Sequence, residues 1–268
     1  MALKDITLGQ FFPGSSPIHR LDPRAKLIGL VLYIVALFLA GRWVSYLVVF
    51  LALALAVALS TVRLRALVRG MKPVLFLLAF TAVLNLFYTP GRPLISFWIF
   101  TITDEGVVRS ILMVARILML ISCTFLLTYT TSPLALTDGL ESLLSPLKRV
   151  RLPVHELSMI MSIALRFVPT LIEETDKIMS AQRARGADFD SGGLVRKAKA
   201  LIPLLVPLFI SAFRRADELA TAMECRCYHG GEGRTRLHQL RFGLGDGLFM
   251  AAALALAVGV GVLAHFGW

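Results

Sequence analysis

Two arginines at the ends of long helical patterns are the residues best placed for a specific chemical role. Each has a small residue on both sides, in the runs Ala184-Arg185-Gly186 and Cys225-Arg226-Cys227. The helix dipole favours a cation at a helix C-terminus by about 0.3–1 kcal/mol, which accounts for an ordinary cap. Small neighbours also leave room for a helix tip to enter a groove, where guanidinium binds a carboxylate or backbone carbonyls in a planar fork. The sequence alone leaves both interpretations open.

The sequence lacks the motifs that would indicate an enzyme, a metal site or a built-in ATPase. It contains no HExxH pair, no GxxxxGK[ST] phosphate loop and no GxSxG turn. The thiols of Cys225 and Cys227 lack further soft ligands at zinc-like spacing, so no metal site is expected. All 17 acidic residues lie outside the most apolar stretches, which disfavours a proton-coupled carrier. We therefore expect neither a catalytic residue nor a bound cofactor.

Composition defines the class of protein. Hydrophobic residues make up 57% of the 268 residues and charged residues only 17%, with a mean hydropathy of +0.75. Soluble domains carry roughly 25% charged residues. The net charge of +11 would suggest nucleic acid in a soluble chain, but in a membrane protein it indicates basic cytoplasmic loops. The sequence predicts an all-α polytopic membrane protein that lies in the lipid bilayer and has no nucleic-acid partner.

Five membrane spans are predicted from four apolar stretches: Leu27–Ser60, Pro73–Tyr88, Val107–Thr130 and Leu248–Phe266. A span needs roughly 20 apolar residues, so the first stretch is too long for one helix. Gly41-Arg42-Trp43 interrupts it, and basic clusters flank both of its ends, which predicts a hairpin with both ends in the cytoplasm. The N-terminus is then cytoplasmic and the C-terminus external. Lys26, just before the first span, is expected to snorkel.

The middle of the chain predicts amphipathic helices rather than spans, over Ser132–Leu147, Pro153–Arg185 and Lys199–Arg226. Charged residues along the two long patterns would be costly in hydrocarbon, so these helices should lie at the cytoplasmic boundary or against protein. Prolines 169, 203 and 207 should kink them. Within-helix ion pairs are expected from Glu173 to Lys177, and from Arg214 to Asp217 or Glu218.

The chain thus divides into five predicted segments. They are an N-terminal cytoplasmic segment (1–26), transmembrane helices 1–4 (27–130), a domain with the two long arginine-tipped helices (131–228), a basic cytoplasmic loop (229–247) and the last transmembrane helix (248–268).

Four motifs in order resemble the transmembrane T component of energy-coupling factor (ECF) transporters. Near the N-terminus, the run 21–27 is similar to that family's LDPRxKL signature. The other matching runs are Leu165–Pro169 with Glu173-Glu174, Ala181–Gly186, and Pro203–Leu208 with Arg215–Ala220 and Ala222–Tyr228. The resemblance covers essentially the whole chain. It departs from the family at Cys225-Arg226-Cys227, where Ala-Arg-Gly is common.

The resemblance implies a non-catalytic coupling subunit in a prokaryotic cell membrane. Two cytosolic ABC-type ATPases, which hold the ATP and Mg, would each accept one tip, with Arg185 and Arg226 as anchors. The long helices would pass movement to a separate substrate-binding membrane subunit, the S component, which carries a vitamin rather than cobalt or nickel. The expected apolar contacts with the S component are Met159, Met161, Ile163, Leu201, Leu204, Leu205 and Leu208. Met and Leu suit a surface that repacks against several partners.

Two other functions remain open at this point. One is the permease subunit of a conventional ABC transporter, which usually carries one short coupling helix rather than two arginine-tipped ones. The other is a membrane scaffold without transport, whose basic surface binds anionic lipid.

Overall fold

The computed structural model describes residues 11–89, 93–97, 100–146, 153–187, 189, 193–230 and 240–266. These residues form nine helices and two short strands: α1 Pro17–Arg20, α2 Pro23–Leu39, α3 Trp43–Leu59, α4 Leu64–Tyr88, β1 Pro93–Phe97, β2 Phe100–Thr103, α5 Asp104–Thr130, α6 Pro133–Leu144, α7 Val154–Ala184, α8 Leu194–Cys225 and α9 Leu244–His265. The all-α class is confirmed.

The break in the first apolar stretch lies where it was predicted, between α2 and α3. Each of these helices has 17 residues and is about 26 Å long, slightly less than the hydrocarbon core of a bilayer. One local element was not predicted. The connection between α4 and α5, for which no strand was predicted, contains the antiparallel pair β1–β2.

Within the described ranges, four helices are long and apolar enough to cross a membrane: Leu64–Phe87, Asp104–Thr130, Val154–Ala184 and Leu244–His265. A fifth apolar helix, Trp43–Leu59, is shorter. The third of the four is α7, which the sequence analysis excluded from lipid because of its charges. Those charges lie mainly in its C-terminal half, and its N-terminal half supplies the apolar composition of a span.

The described residues divide into two compact units: 11–143 with 240–266, and 144–230. The core of the first unit is formed by side chains from α2, α3, α5 and α9: Tyr33, Ala36, Leu37, Ala40, Tyr46, Val49, Leu53, Met119, Ala257 and Val260. Small residues in this set allow the helices to approach closely, as is usual where helices pack within a membrane.

A buried polar cluster formed by Asp22, Arg24, Lys26 and Asp246 joins the beginnings of α2 and α9. Asp246 accepts hydrogen bonds from the N–H of Asp22 (2.7 Å) and, at its own helix start, from the N–H of Gly243 (2.8 Å). Asp22 caps α2 by accepting from the N–H of Arg24 (2.8 Å), and Pro23 takes the first helical position. The two carboxylates therefore cap two helices that are distant in sequence.

The two cationic side chains of this cluster, Arg24 and Lys26, bind groups within the protein. Arg24 pairs with Asp22 at 3.0 Å and donates to the carbonyl of Leu240 at 2.9 Å. The ammonium of Lys26 donates to the Thr130 carbonyl (3.0 Å), the Thr131 hydroxyl (3.1 Å) and the His19 carbonyl (3.3 Å). Lys26 is only 5% exposed, so the prediction that it snorkels to the interface is wrong. Its three donors are satisfied within the protein instead.

In the second unit, α7 and α8 form an antiparallel pair. The hydroxyl of Tyr228, just after α8, donates to the sulfur of Met159 near the start of α7 (3.1 Å). Further along α7, Glu174 accepts from the hydroxyl of Ser211 and pairs with Arg215 at 2.8 Å. Both helices continue through their internal prolines. The ion pair between Glu174 and Arg215 joins the two helices, and the predicted pairs of Glu173 with Lys177 and of Arg214 with Asp217 or Glu218 do not form among the described residues.

Candidate functional site

The first arginine tip ends in a tight helix-terminating motif. The N–H of Gly186 donates to the carbonyl of Arg183 (3.0 Å), and the N–H of Ala187 reaches back to the carbonyl of Gln182 (3.0 Å). This is the bonding pattern of a Schellman motif, in which the residue after the cap adopts a left-handed conformation. Gly186 does so, with φ +87°. Arg185 is therefore the cap residue, held at the very end of α7.

The second tip repeats this geometry without glycine. The N–H of Cys227 donates to the carbonyl of Glu224 (2.8 Å), and the N–H of Tyr228 donates to the carbonyl of Met223 (3.1 Å). Cys227 occupies the left-handed position with φ +55°, which costs a non-glycine residue roughly 1–2 kcal/mol. Arg226 is again the cap residue. The departure from Ala-Arg-Gly thus preserves the shape of the tip.

All six residues of the two tips are exposed: Ala184, Arg185, Gly186, Cys225, Arg226 and Cys227. Neither guanidinium makes a hydrogen bond or an ion pair within the part of the chain that the structure describes. A Cβ added at Gly186 would meet no atom within 4 Å. The left-handed φ of Gly186 explains glycine at that position. Internal packing does not explain the small side chains of Ala184 and Cys225, whereas entry of the tip into a partner's groove would.

Substituting the two cysteines by glycine should have opposite effects on the second tip. Cys227→Gly relieves the left-handed strain and should stabilise the last turn of α8 by about 1 kcal/mol. Cys225→Gly, the matched control, places glycine within the helix and should destabilise that turn by about 1 kcal/mol. Hydrogen–deuterium exchange of the Tyr228 amide measures both, with roughly fivefold slower and fivefold faster exchange expected. Equal effects of the two substitutions would contradict the strain at Cys227.

The apolar residues proposed from sequence as partner contacts are only partly accessible. Met161, Leu201 and Leu205 are about half exposed, and Met159, Ile163 and Leu208 are partly buried. Leu204 is only 5% exposed, so its side chain is not available at the surface. Leu204 lies on the face of α8 that also carries Ser211 and Arg215, which bind Glu174 of α7.

A more continuous apolar surface lies on another face of α8. We call it the α8 stripe, formed by the exposed side chains of Ile202, Leu205, Val206, Phe209, Ile210 and Phe213. The spacing of three and four residues places all six on one helix face. Five of them were missed from sequence, although this periodicity was present in it. A continuous apolar face of this kind indicates contact with lipid or with another protein.

No group of three His, Cys, Asp or Glu side chains that could hold a metal ion occurs in the described ranges of the chain. The second tip places an arginine between two thiols. Cys225 and Cys227 are both free thiols.

Comparison with known proteins agrees with the motif resemblance. The family described as cobalt transport protein (CbiQ) matches residues 14–237. The chain is 50% identical over 266 residues to the energy-coupling factor transporter transmembrane protein EcfT of Acidaminococcus fermentans, covering 99% of this chain and 98% of that protein. It is 52% identical to the protein of the same name from Ruminiclostridium cellulolyticum over 240 residues, or 90% of each chain. This multi-pass membrane protein therefore belongs to the EcfT family of energy-coupling factor transporter transmembrane proteins.

Proposed function

We propose that this chain couples ATP hydrolysis by two cytosolic ABC-type ATPases to an S component in a prokaryotic cell membrane. The observation that carries the proposal is the pair of tips. Two helices of one chain end in the same backbone motif, and each presents an exposed arginine without a partner among the described residues. Two tips with the same backbone geometry match one groove on each of the two ATPases.

Arginine at these positions suits recognition of an acidic or carbonyl-lined groove. Its guanidinium stays charged and donates several hydrogen bonds in a fixed plane, which lysine cannot reproduce. The cap position adds geometric precision, because two backbone hydrogen bonds hold each tip. ATP and Mg bind to the ATPases in this proposal, and this chain itself binds no cofactor and catalyses no reaction.

The α8 stripe is the surface we assign to the S component. Its six exposed apolar side chains lie on the long helix that also carries Arg226, so movement of that tip would be transmitted directly to the stripe. Of the contacts expected from sequence, the exposed Met161, Leu201 and Leu205 remain assigned to the S component. The partly buried Met159, Ile163 and Leu208 are assigned to the edge of that contact. The large side chains of Phe209 and Phe213 make them the strongest candidate anchors.

The transported substrate is proposed to be a vitamin, bound by the S component. The description of the matched family names cobalt transport, whereas the names of the similar EcfT proteins specify no substrate. The preference for a vitamin comes from the motif resemblance. The N-terminus is proposed to lie in the cytoplasm, since the basic clusters on both sides of the α2–α3 hairpin are then on the cytoplasmic side.

Affinity purification of the tagged chain from its native membranes tests this function. Mild detergent extraction and mass spectrometry should recover two ABC-type ATPase chains and at least one small polytopic membrane protein. An unrelated tagged membrane protein of similar abundance serves as the control. If the folded chain is recovered without ATPases, the coupling function is wrong; if an ATPase is recovered with only a conventional permease partner, the S-component assignment is wrong.

A further inference from the structure

The last eleven residues of each long helix, together with the arginine that caps it, form an internal repeat. Glu174–Arg185 and Arg215–Arg226 correspond at a constant offset of 41 residues. Identical or similar residues occupy equivalent positions in the two segments: Asp176 and Asp217, Ile178 and Leu219, Ser180 and Thr221, Ala181 and Ala222, and Arg185 and Arg226. We call these two segments the arms.

The arms are equivalent in structure as well as in sequence. In the first arm the hydroxyl of Ser180 donates to the carbonyl of Asp176 at 2.8 Å, and in the second the hydroxyl of Thr221 donates to the carbonyl of Asp217 at 2.8 Å. Both arms then end in the same Schellman motif. Two segments of one chain thus repeat the same side-chain hydrogen bond and the same ending at the same distance from the tip.

The residues that begin the two arms contact each other. Glu174 and Arg215 occupy the same position of the repeat and form an ion pair at 2.8 Å. When a two-fold axis relates two antiparallel segments, a contact between equivalent residues lies on that axis. The axis that relates the two arms therefore passes through this ion pair.

The arms extend equally far from the axis. Arg185 lies eleven residues after Glu174, and Arg226 eleven residues after Arg215, which corresponds to about 17 Å along each helix. Because the helices are antiparallel, the two tips point in opposite directions from the pair. The internal prolines, Pro169 in α7 and Pro203 and Pro207 in α8, all precede the arms. Each arm is therefore an uninterrupted helix.

A contact on a two-fold axis between equivalent residues would bring like charges together if both were Glu or both were Arg. The repeat differs at this position and carries one residue of each sign. Ser211 adds a hydrogen bond to Glu174, so a small network replaces a single pair. The side chains of Arg215 and Glu174 are 33% and 22% exposed, and a pair this exposed contributes little to stability. Its directional bonds are better suited to setting the register between two helices.

We infer that Glu174, Ser211 and Arg215 form a positioning element that fixes the register of α7 against α8 and thereby the spacing of the two arginine tips. Its consequence for transport rests on the proposed function, because a symmetric pair of ATPases needs tips at a defined separation. Loss of the ion pair should let the helices slide, leaving each tip intact while their separation varies.

Pulsed electron–electron spin resonance on the full chain in phospholipid nanodiscs tests this inference without any partner. Spin labels are placed at the equivalent exposed positions by Ser180→Cys and Thr221→Cys, after Cys123→Ala, Cys225→Ala and Cys227→Gly remove the natural thiols. The parent chain should give one narrow distance distribution. Glu174→Gln and Arg215→Gln should broaden it or shift it by about 1.5 Å or more, the rise of one helical residue.

Neighbouring charges and a charge exchange complete the test. Glu173→Gln and Arg214→Gln, the adjacent exposed residues, should leave the distribution unchanged. Glu174→Arg combined with Arg215→Glu should restore a narrow distribution, which a general loss of stability would not allow. Unchanged distances in Glu174→Gln and Arg215→Gln, or equal broadening in the neighbour controls, would overturn the inference. Since ATPases are absent, these results are independent of whether the chain recruits them.

Discussion

Exchanging both tip arginines for glutamate will abolish ATPase recruitment and ATP-driven uptake while the chain remains folded. Removing one partner of a buried charged contact costs about 2–5 kcal/mol at an interface, and reversing the charge adds repulsion. The two tips belong to one chain, so each binding event raises the effective concentration for the other. Arg185→Glu or Arg226→Glu alone should therefore leave weakened recruitment, and the double variant none. Recovery of ATPases with the purified chain measures this.

The control for this exchange keeps the change in net charge and moves it away from the tips. Arg166→Glu with Arg214→Glu places one substitution on each long helix, at exposed residues distant from the caps. This double variant should recruit ATPases as well as the wild type does. If it loses them to the same extent as the tip variant, recruitment depends on the overall basic charge of the chain and the role of the tips is wrong.

Replacing Lys26 by methionine should destabilise the first unit by about 3–5 kcal/mol. Methionine fills similar space but leaves the Thr130 carbonyl, the Thr131 hydroxyl and the His19 carbonyl without their donor. It also removes a cation that interacts electrostatically with the buried carboxylates of Asp22 and Asp246. Removing one member of a buried network of charges is among the most destabilising kinds of single substitution. The temperature at which half of the detergent-extracted chain aggregates measures the loss.

Lys72→Met is the control for this substitution, because Lys72 is exposed in α4. It should leave the aggregation temperature within a degree or two of the wild type. Asp246→Asn offers a milder variant, since an amide oxygen can replace one of the two accepted hydrogen bonds but not both. Similar stability of the Lys26 and Lys72 variants would show that the cluster does not support the fold.

Local features were predictable from sequence where neighbouring residues determine them. The α2–α3 break follows from Gly41-Arg42-Trp43, and the start of α2 follows from Asp22 as its cap and Pro23 at its first position. The two arginine caps were predicted because the residues that end a helix lie within one helical turn of each other. These are contacts between residues close in the chain, for which spacing is sufficient information.

Long-range polar contacts were not predictable in the same way. Asp22 and its partner Asp246 are separated by 224 positions, and nothing in either segment indicates the other. The buried position of Lys26 was missed because two of its three acceptors, Thr130 and Thr131, lie more than 100 positions away, at the end of α5 and just after it. Glu174 was overlooked in favour of Glu173, since pairs within one helix can be seen in a sequence and pairs between helices cannot.

One intramembrane charge, Arg116, was also not predicted from the sequence. Arg116 lies within α5, where a cation needs a specific partner. Its guanidinium donates to the carbonyl of Ala40 at the end of α2 (2.9 Å) and lies 5.6 Å from the ring centres of Phe38 and Tyr46. It therefore completes the C-terminus of α2 and is held over two aromatic faces. Its position in the middle of an apolar stretch was the signal that could have identified it.

Site-specific photo-crosslinking from the tips tests the central claim most directly. A photoreactive amino acid at Ala184 or at Cys225 lies beside an anchoring arginine, and the same group at Phe76, which is 82% exposed in α4, is the control. We predict that each tip position crosslinks to an ABC-type ATPase in intact membranes and that the Phe76 position does not. Tip positions that crosslink to no ATPase, in a chain that is folded and present with its partners, would contradict the account.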